Sequence, residues 1–227
     1  MRVFSWLIKM KLMHIYQVIK IAICFAWMPA HGYEWQFVGA LVAKGSGLKI
    51  SIPRINGAVP HEWPMPSSME VGHSFSPLFQ EFFICKNLIC SRERTIDVTV
   101  NLKKISEPIP TEDSVREQYL RSYVSSIIER STIETPKLEL FYKKALPRLL
   151  PQTLTVTKIS GVTWVSIKRE TNGQLSGIVY WRGIGRDYII SASYDAKIVE
   201  LPKDIRAEDL NMQMLRFVEL IKIEEAN

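Results

Sequence analysis

The sequence predicts an α+β fold in which a mostly antiparallel sheet is covered by two main helices. Strand patterns occur in runs instead of alternating with helices, which is typical of antiparallel sheets. Segments 111–128 and 204–223 carry broad apolar stripes at helical spacing. Strand 162–169 is apolar on both of its faces, so we expect both faces of the sheet to be covered.

The first 32 residues have the pattern of a secretory signal peptide. A basic segment without acidic residues precedes an uncharged, mostly apolar run over 21–30, and small residues follow at Ala30 and Gly32. We expect cleavage after Gly32, with Ala30 as the alternative, and a start at Met1 or Met13. A retained anchor is less favoured, because Lys20 interrupts the roughly 20 apolar residues that a spanning helix needs.

Cleavage would change the charge and the cysteine count of the working protein. Four of the 29 basic residues and none of the 23 acidic ones lie in residues 1–32, so the net charge falls from +6 to about +2. A strongly basic nucleic-acid binder is thereby excluded. Of the three cysteines, Cys85 and Cys90 remain, and we expect them to form a disulfide in an exported chain. Two unpaired thiols are the alternative.

Residues 33–227 are predicted to form a single domain. Segment 33–43 is a first strand or a helical lead-in, and after a turn at 45–47 the alternation over 48–52 predicts a strand that ends at Pro53. Stretch 53–77 holds five prolines and two glycines, which predicts a long loop. Long loops are often binding segments, which makes Trp63 a candidate protein-binding residue.

The remaining elements follow in chain order. Segment 81–102 is predicted to be a β-hairpin, and a helix starts with Thr111 as its N-cap. Thr135-Pro136 indicates a second, short helix to about residue 146, although alternation there also permits a strand. Antiparallel strands over 154–194, with turns at 160–161, 172–173 and 183–185, lead to the final helix.

This order of elements is similar to that of the Mog1/PsbP-like (DcrB-like) group. The resemblance is carried by Ile50-Ser51-Ile52-Pro53, by Tyr119-Leu120 in the first helix, by Ile159-Ser160-Gly161-Val162 and by Asp187-Tyr188-Ile189-Ile190. It implies a sheet with helices on its faces. It implies little about activity, because members of the group bind proteins or assist assemblies and share no catalytic site.

We find no catalytic, cofactor or metal motif and expect none of the three. The residues nearest to one lie in the Pro-rich loop, where His61, Glu62, Glu70 and His73 match no helical or hairpin spacing of metal ligands. A hydrolase would require His61, Glu62 and His73 to converge in one cleft. A small-ligand carrier would require an apolar cavity of about 300 Å³ or more.

A second candidate contact surface lies at the turn near 183–185. Trp181, Arg182 and Arg186 belong to residue types that are enriched at interfaces. The alternative is that Trp181 is in the core and that the two arginines are solvated.

These observations predict an exported, non-catalytic protein-binding domain of the bacterial periplasm. Its partner would be another protein: an envelope component if the domain is an assembly or maintenance factor, or a toxin if it is an immunity-type inhibitor. We expect no nucleic-acid partner, and contact with a membrane only through the signal peptide before cleavage. A hydrolase with an irregular site in the Pro-rich loop and a small-ligand carrier are the alternatives.

Overall fold

The computed structural model describes residues 34–82, 96–196 and 206–225. The chain divides into two compact units, Met1–Glu34 and Trp35–Asn227, and every element given below belongs to the second. The predicted signal peptide and the predicted Cys85–Cys90 disulfide both lie outside the described residues.

Strands dominate the described part of the chain. In chain order the elements are β1 (Phe37–Gly45), β2 (Leu48–Ile55), β3 (Val59–Glu62), β4 (Ser74–Phe82), β5 (Ile96–Lys104), α1 (Asp113–Tyr142), β6 (Arg148–Leu149), a 3₁₀ turn (Pro151–Thr153), β7 (Thr155–Ile159), β8 (Val162–Thr171), β9 (Gln174–Ile184), β10 (Tyr188–Ala196), α2 (Ala207–Glu219) and β11 (Lys222–Glu225). The predicted hairpin over 81–102 corresponds to β4 and β5, but its first arm begins earlier, at Ser74.

A large antiparallel sheet forms the centre of the unit. Its strand order is β3-β4-β5-β10-β9-β8-β6, and β7 also pairs with β8. Asn172-Gly173 joins β8 to β9, and both of its residues have positive φ, as a type I′ turn requires. The predicted α+β fold with a mostly antiparallel sheet is confirmed.

Helix α1 covers one face of this sheet. Leu120 and Val124 are fully buried there, in a cluster with Val165, Ile167 and Trp181. The neighbouring ladder of Tyr119, Tyr123 and Ile127 packs against the same cluster and is partly buried. The apolar stripe read from the sequence is therefore the face of α1 that meets the sheet.

Helix α2 and a small sheet cover the opposite face. The small sheet has the order β1-β2-β11. Trp35 joins the layers, because its ring packs edge-on against Tyr194 of β10 at 6.4 Å and Phe217 of α2 at 6.3 Å. Its backbone N–H donates to Oε1 of Gln213 at 3.2 Å. Both sheet faces are thus covered, as predicted, but the small sheet was not expected.

The prediction of one long loop over 53–77 is wrong. Pro53 lies within β2, Pro60 within β3 and Pro77 within β4, so the loop runs only from 63 to 73. Strand β3 is an edge strand, where a proline can turn its missing N–H away from the sheet. The β4–β5 register shifts between Phe75 and Leu78. The regular ladder is interrupted there, so it does not require a hydrogen bond from Pro77, which has no backbone N–H.

Both helices also differ from the prediction in their boundaries. Helix α1 is one 30-residue helix that contains Pro136, not two helices, and its N-cap is Glu112 instead of Thr111. Helix α2 ends at Glu219, because Ile221 turns into the core and β11 then pairs with β2. Among the described residues, no helix is long and apolar enough to cross a membrane.

Candidate functional site

The outer edge of β1 is open in the described part of the chain. Strand β1 pairs with β2 on one side, and no described strand pairs with it on the other. An open edge presents backbone N–H and C=O groups that another strand can bind. Val42, at the middle of this edge, is also 48% exposed.

The geometry of the β1–β2 hairpin determines which backbone groups face this edge. The turn at 46–47 has φ values of 50° and 72°, as in a two-residue type I′ turn. Gly45 and Leu48 flank it and form the first hydrogen-bonded pair, after which bonded and non-bonded pairs alternate. Val42 and Lys44 fall at non-bonded positions, so their N–H and C=O groups point away from β2.

A groove of about 400 Å³ opens along the same edge. Residues 41–44 of β1 form one wall, and residues 62–65 form the other. The floor consists of Ile52 and Leu78, each only 1% exposed. The lining is mainly apolar, with one cation, Lys44, and one anion, Glu62, on opposite walls.

The second wall is fixed to the β1–β2 turn. The Ser46 backbone N–H donates to the Ser67 carbonyl oxygen at 3.0 Å, and its hydroxyl donates to that of Pro66 at 2.9 Å. Gly45 allows this approach, because a Cβ there would lie 2.4 Å from the Pro66 oxygen. Met65 is buried and anchors the wall. The groove is therefore formed before any ligand binds.

Trp63, which was predicted from the sequence to be a protein-binding residue, lines this groove. Its side chain is 47% exposed. Its ring stacks on His61 of β3, with centroids 6.3 Å apart and planes 22° apart. A partly exposed Trp beside an apolar groove offers a large contact area with little conformational freedom to lose. Trp63 is therefore the best-placed anchor for a partner.

The other predicted surface, at the β9–β10 turn, is not formed. Trp181 is only 7% exposed and packs under α1. Arg182 points to the opposite face, with its guanidinium 5.5 Å from the centroid of the Trp164 ring. Burial, and then the nearby charge of Arg116, lower the pKa of Arg182. Only Arg186 of the three is exposed, so these three residues do not form one surface.

The residues of the hydrolase alternative do not converge. His61 and Glu62 pair with the second half of β4, whereas His73 precedes its first residue. Roughly 15–20 Å of strand therefore separates the two histidines. His73 is exposed, with Nδ1 3.6 Å from a carboxylate oxygen of Glu70. Among the described residues, no group of three or more His, Cys, Asp or Glu is placed to hold a metal ion.

The two described depressions also do not match a ligand carrier. The groove along β1 has the required volume but is open along its length. A second depression, of about 210 Å³, lies beside Lys103, Tyr119 and Tyr123. It is smaller, and its lining includes the charged residues Lys103, Lys104 and Glu107. Neither is an enclosed apolar cavity.

Val42 and Lys44 were not among the residues predicted from the sequence. A signal was available, because the Gly45-Ser46-Gly47 turn followed by an alternating strand marks an early hairpin. The sequence does not show that the first strand of this hairpin lies at a sheet edge. It also does not show that this strand lies beside the segment that carries Trp63.

Comparison with known proteins gives a distant structural match. No family model matches the chain, and no curated protein matches it. A structural match is the solution structure of cyanobacterial PsbP (CyanoP) from Synechocystis sp. PCC 6803. The match covers 86% of this chain and 96% of that one, with 10% sequence identity and a TM-score of 0.44. So distant a likeness says nothing about activity.

Proposed function

We propose that this chain is an exported, non-catalytic protein-binding domain of the bacterial periplasm, with a Mog1/PsbP-like arrangement. In this proposal it binds an extended segment of a partner protein along β1. The partner is an envelope component if the domain assists assembly or maintenance, and a toxin if the domain is an immunity-type inhibitor.

The observation that supports this proposal is the open edge of β1 beside a preformed apolar groove. An added strand gains main-chain hydrogen bonds from the edge, while a pocket beside it selects the side chains that point its way. Val42 and Lys44 offer the backbone groups, and the space between β1 and Trp63 accommodates an apolar side chain above Ile52 and Leu78. An open edge and an apolar groove beside it are the two features that strand addition uses, and together they support the proposal.

Export is supported by the signal-like composition of residues 1–32. We expect the protein from producing cells to begin at Tyr33, or at His31 under the alternative cleavage. Its mass should also be lower by two hydrogen atoms than that of the fully reduced chain, as the proposed disulfide between Cys85 and Cys90 requires. Mass spectrometry before and after reduction measures both. A full-length, reduced protein recovered from the cytosol would refute the compartment and the disulfide together.

The binding proposal is tested by photo-crosslinking in the producing cells. A photoreactive amino acid at Lys44 should give a discrete adduct with one partner protein, and the same group at Met212, which is 56% exposed on α2, should not. Val42→Pro should abolish the adduct, because it removes an outward N–H and blocks the edge while leaving the β1–β2 hydrogen bonds intact. Val42→Thr keeps the N–H and should preserve the adduct.

Trp63→Ala provides an independent check on the groove wall. Loss of a well-placed Trp anchor typically costs about 2 kcal/mol of binding, a drop in affinity of roughly 30-fold. An adduct that survives both Val42→Pro and Trp63→Ala would exclude this surface. The two versions of the function are separated by co-expression with a toxin gene adjacent to this one, since only an inhibitor should restore growth.

A further inference from the structure

The C-terminal end of α1 exposes large apolar side chains. Leu140 is 82% exposed, Phe141 77% and Tyr142 55%. Two more exposed residues precede them on the same helix, Ile133 at 63% and Leu138 at 43%. Single exposed apolar residues are normal on protein surfaces, but a contiguous group of this size indicates an interaction site.

These side chains cover more than half of the circumference of the helix end, and we call them the apolar ring. Successive residues of an α-helix are about 100° apart, so Leu140, Phe141 and Tyr142 together span about 200°. The aromatic rings of Phe141 and Tyr142 also pack edge-on against each other, with centroids 5.0 Å apart. A helix that binds in a protein groove concentrates its anchors on one narrower face. An apolar helix end of this width instead fits a soft layer that it enters end-on, and Tyr is typical of membrane interfaces.

The charges beside this ring are positive. Lys137, Lys143 and Lys144 flank it, and none of them forms an ion pair within the part of the chain that the structure describes. Glu139 is the only acidic residue between 137 and 148, and the Arg148 guanidinium donates to it. Such a group of lysines is attracted to an anionic lipid surface, by about 1 kcal/mol for each residue.

The end of the helix is also held in a defined shape. The Leu146 backbone N–H donates to Oε1 of Glu139 at 3.1 Å, and Arg148 binds the other carboxylate oxygen. Lys143 caps the helix in the left-handed region, with φ of 53°. The chain is thus folded back at once into β6, and the apolar ring projects as an ordered end.

We propose that residues 137–144, here called the α1 tip, dock reversibly on an anionic lipid bilayer. Leu140, Phe141 and Tyr142 enter the interfacial region, and the lysines bind lipid phosphates. The sequence indicated membrane contact only through the signal peptide, so the tip adds a second contact, independent of cleavage and of the groove along β1. The alternative is that the tip binds a protein, and the experiment below distinguishes protein binding from lipid binding.

The test is hydrogen–deuterium exchange of the protein, with the N-terminus it carries in producing cells, with and without phosphatidylglycerol-containing vesicles. Amides over 137–146 should exchange more slowly with vesicles, and this protection should weaken in 0.5 M salt. Leu140→Ser/Phe141→Ser should remove it, whereas Met212→Ser on α2 should not. Lys143→Gln/Lys144→Gln should lower the lipid affinity by roughly tenfold or more. The N-terminus is the same in all variants, so the differences between them report the tip alone.

Several outcomes would overturn the proposal. Equal protection by neutral phosphatidylcholine vesicles would exclude the role of the lysines, and unchanged exchange over 137–146 would exclude lipid docking. Protection by a purified periplasmic protein, but not by vesicles, would show that the tip is a protein-binding surface. Circular dichroism and urea unfolding of each variant show whether the fold is retained, and the lysine variant leaves every apolar side chain in place.

Discussion

At the scale of single residues, a charged row across the large sheet shows why one position must be glycine. Arg169, Gly177, Asp195 and Asp97 are register partners on four successive strands. Arg169 reaches past the glycine and forms an ion pair with Asp195. A Cβ at Gly177 would lie 2.2 Å from the Tyr194 carbonyl oxygen and 3.1 Å from Oδ1 of Asp195. The missing side chain therefore makes room for the pair.

The titration of Asp195 gives a prediction about stability and pH. Burial raises the pKa of Asp195 above its ordinary value of 3.8, and the charge and hydrogen bond of Arg169 oppose this rise only partly. The folded protein thus holds this proton more tightly than the unfolded chain. The resulting stabilisation is complete at pH values below the pKa that Asp195 has in the unfolded chain. It is lost as the pH rises through the higher pKa that Asp195 has in the folded protein.

We therefore expect wild type to gain stability relative to Asp195→Asn as the pH falls from 7 to about 4. Urea unfolding of both proteins across this range measures the difference, in which the titrations of the other groups largely cancel. A relative loss for wild type on acidification would mean that the ion pair with Arg169 dominates and that the folded pKa lies below the ordinary value.

Of the residues at the candidate site, residue types alone singled out only Trp63. Trp63 and Trp181 look alike in the sequence, each near a proline or glycine turn. One stays 47% exposed beside the groove and the other is 7% exposed, because α1 crosses the strand that carries Trp181. Which side chains a helix covers depends on long-range packing, and no local pattern contains that information.

At the scale of elements, Pro136 within α1 is the largest local conflict between sequence and structure. A proline inside a helix lacks one donor and crowds the preceding turn. The helix continues to Tyr142, with buried Thr135 beside the proline and the Glu139–Arg148 pair beyond it. Tertiary contacts outweigh the local preference that predicted a break at Thr135-Pro136.

Pro136→Ala should therefore raise the free energy of unfolding, by about 1–3 kcal/mol, since it restores one backbone hydrogen bond in an exposed part of the helix. Pro147→Ala, after the end of α1, is the matched control and should cause no gain, because proline there only restricts the unfolded chain. Urea unfolding measures both. Destabilisation by Pro136→Ala would show that α1 needs a bend at this position.

Strand pairs joined by local turns were predictable from the sequence, and strand pairs between segments far apart in the chain were not. The Asn172-Gly173 and Ser160-Gly161 turns lie where the sequence placed them, because positive φ at these residues specifies the hairpins. Strand β11 was missed, because Ile221 continues the helical spacing of α2 and residues 222–225 contain only one apolar residue, Ile223. Its partner β2 lies some 170 residues earlier in the chain.

At the scale of the whole molecule, the layer that contains the small sheet is held together by pairing between the two ends of the described chain. Lys222 of β11 pairs with Ser51 of β2, and Lys49 forms an ion pair with Glu224 at 2.6 Å. The same layer contains α2, whose Phe217 meets the rings of Trp35 and Phe37. The groove along β1 thus depends on contacts between the start and the end of the domain.

If both layers fold onto the large sheet as one cooperative unit, equivalent cavities on its two faces should have equivalent effects. Leu120 of α1 and Leu210 of α2 are both 0% exposed and lie on helices that cover opposite faces. Each Leu→Ala change should lower the free energy of unfolding by about 2–5 kcal/mol.

The double variant should lose the sum of the two effects to within about 0.5 kcal/mol, because the sheet separates the two sites. Circular dichroism and tryptophan fluorescence should follow one coincident urea transition in all three variants. A biphasic transition in Leu210→Ala alone would mean that α2 and the small sheet unfold before the rest. In that case the proposed strand-addition site would lie in the least stable part of the described chain, and binding of the proposed partner would stabilise this layer first.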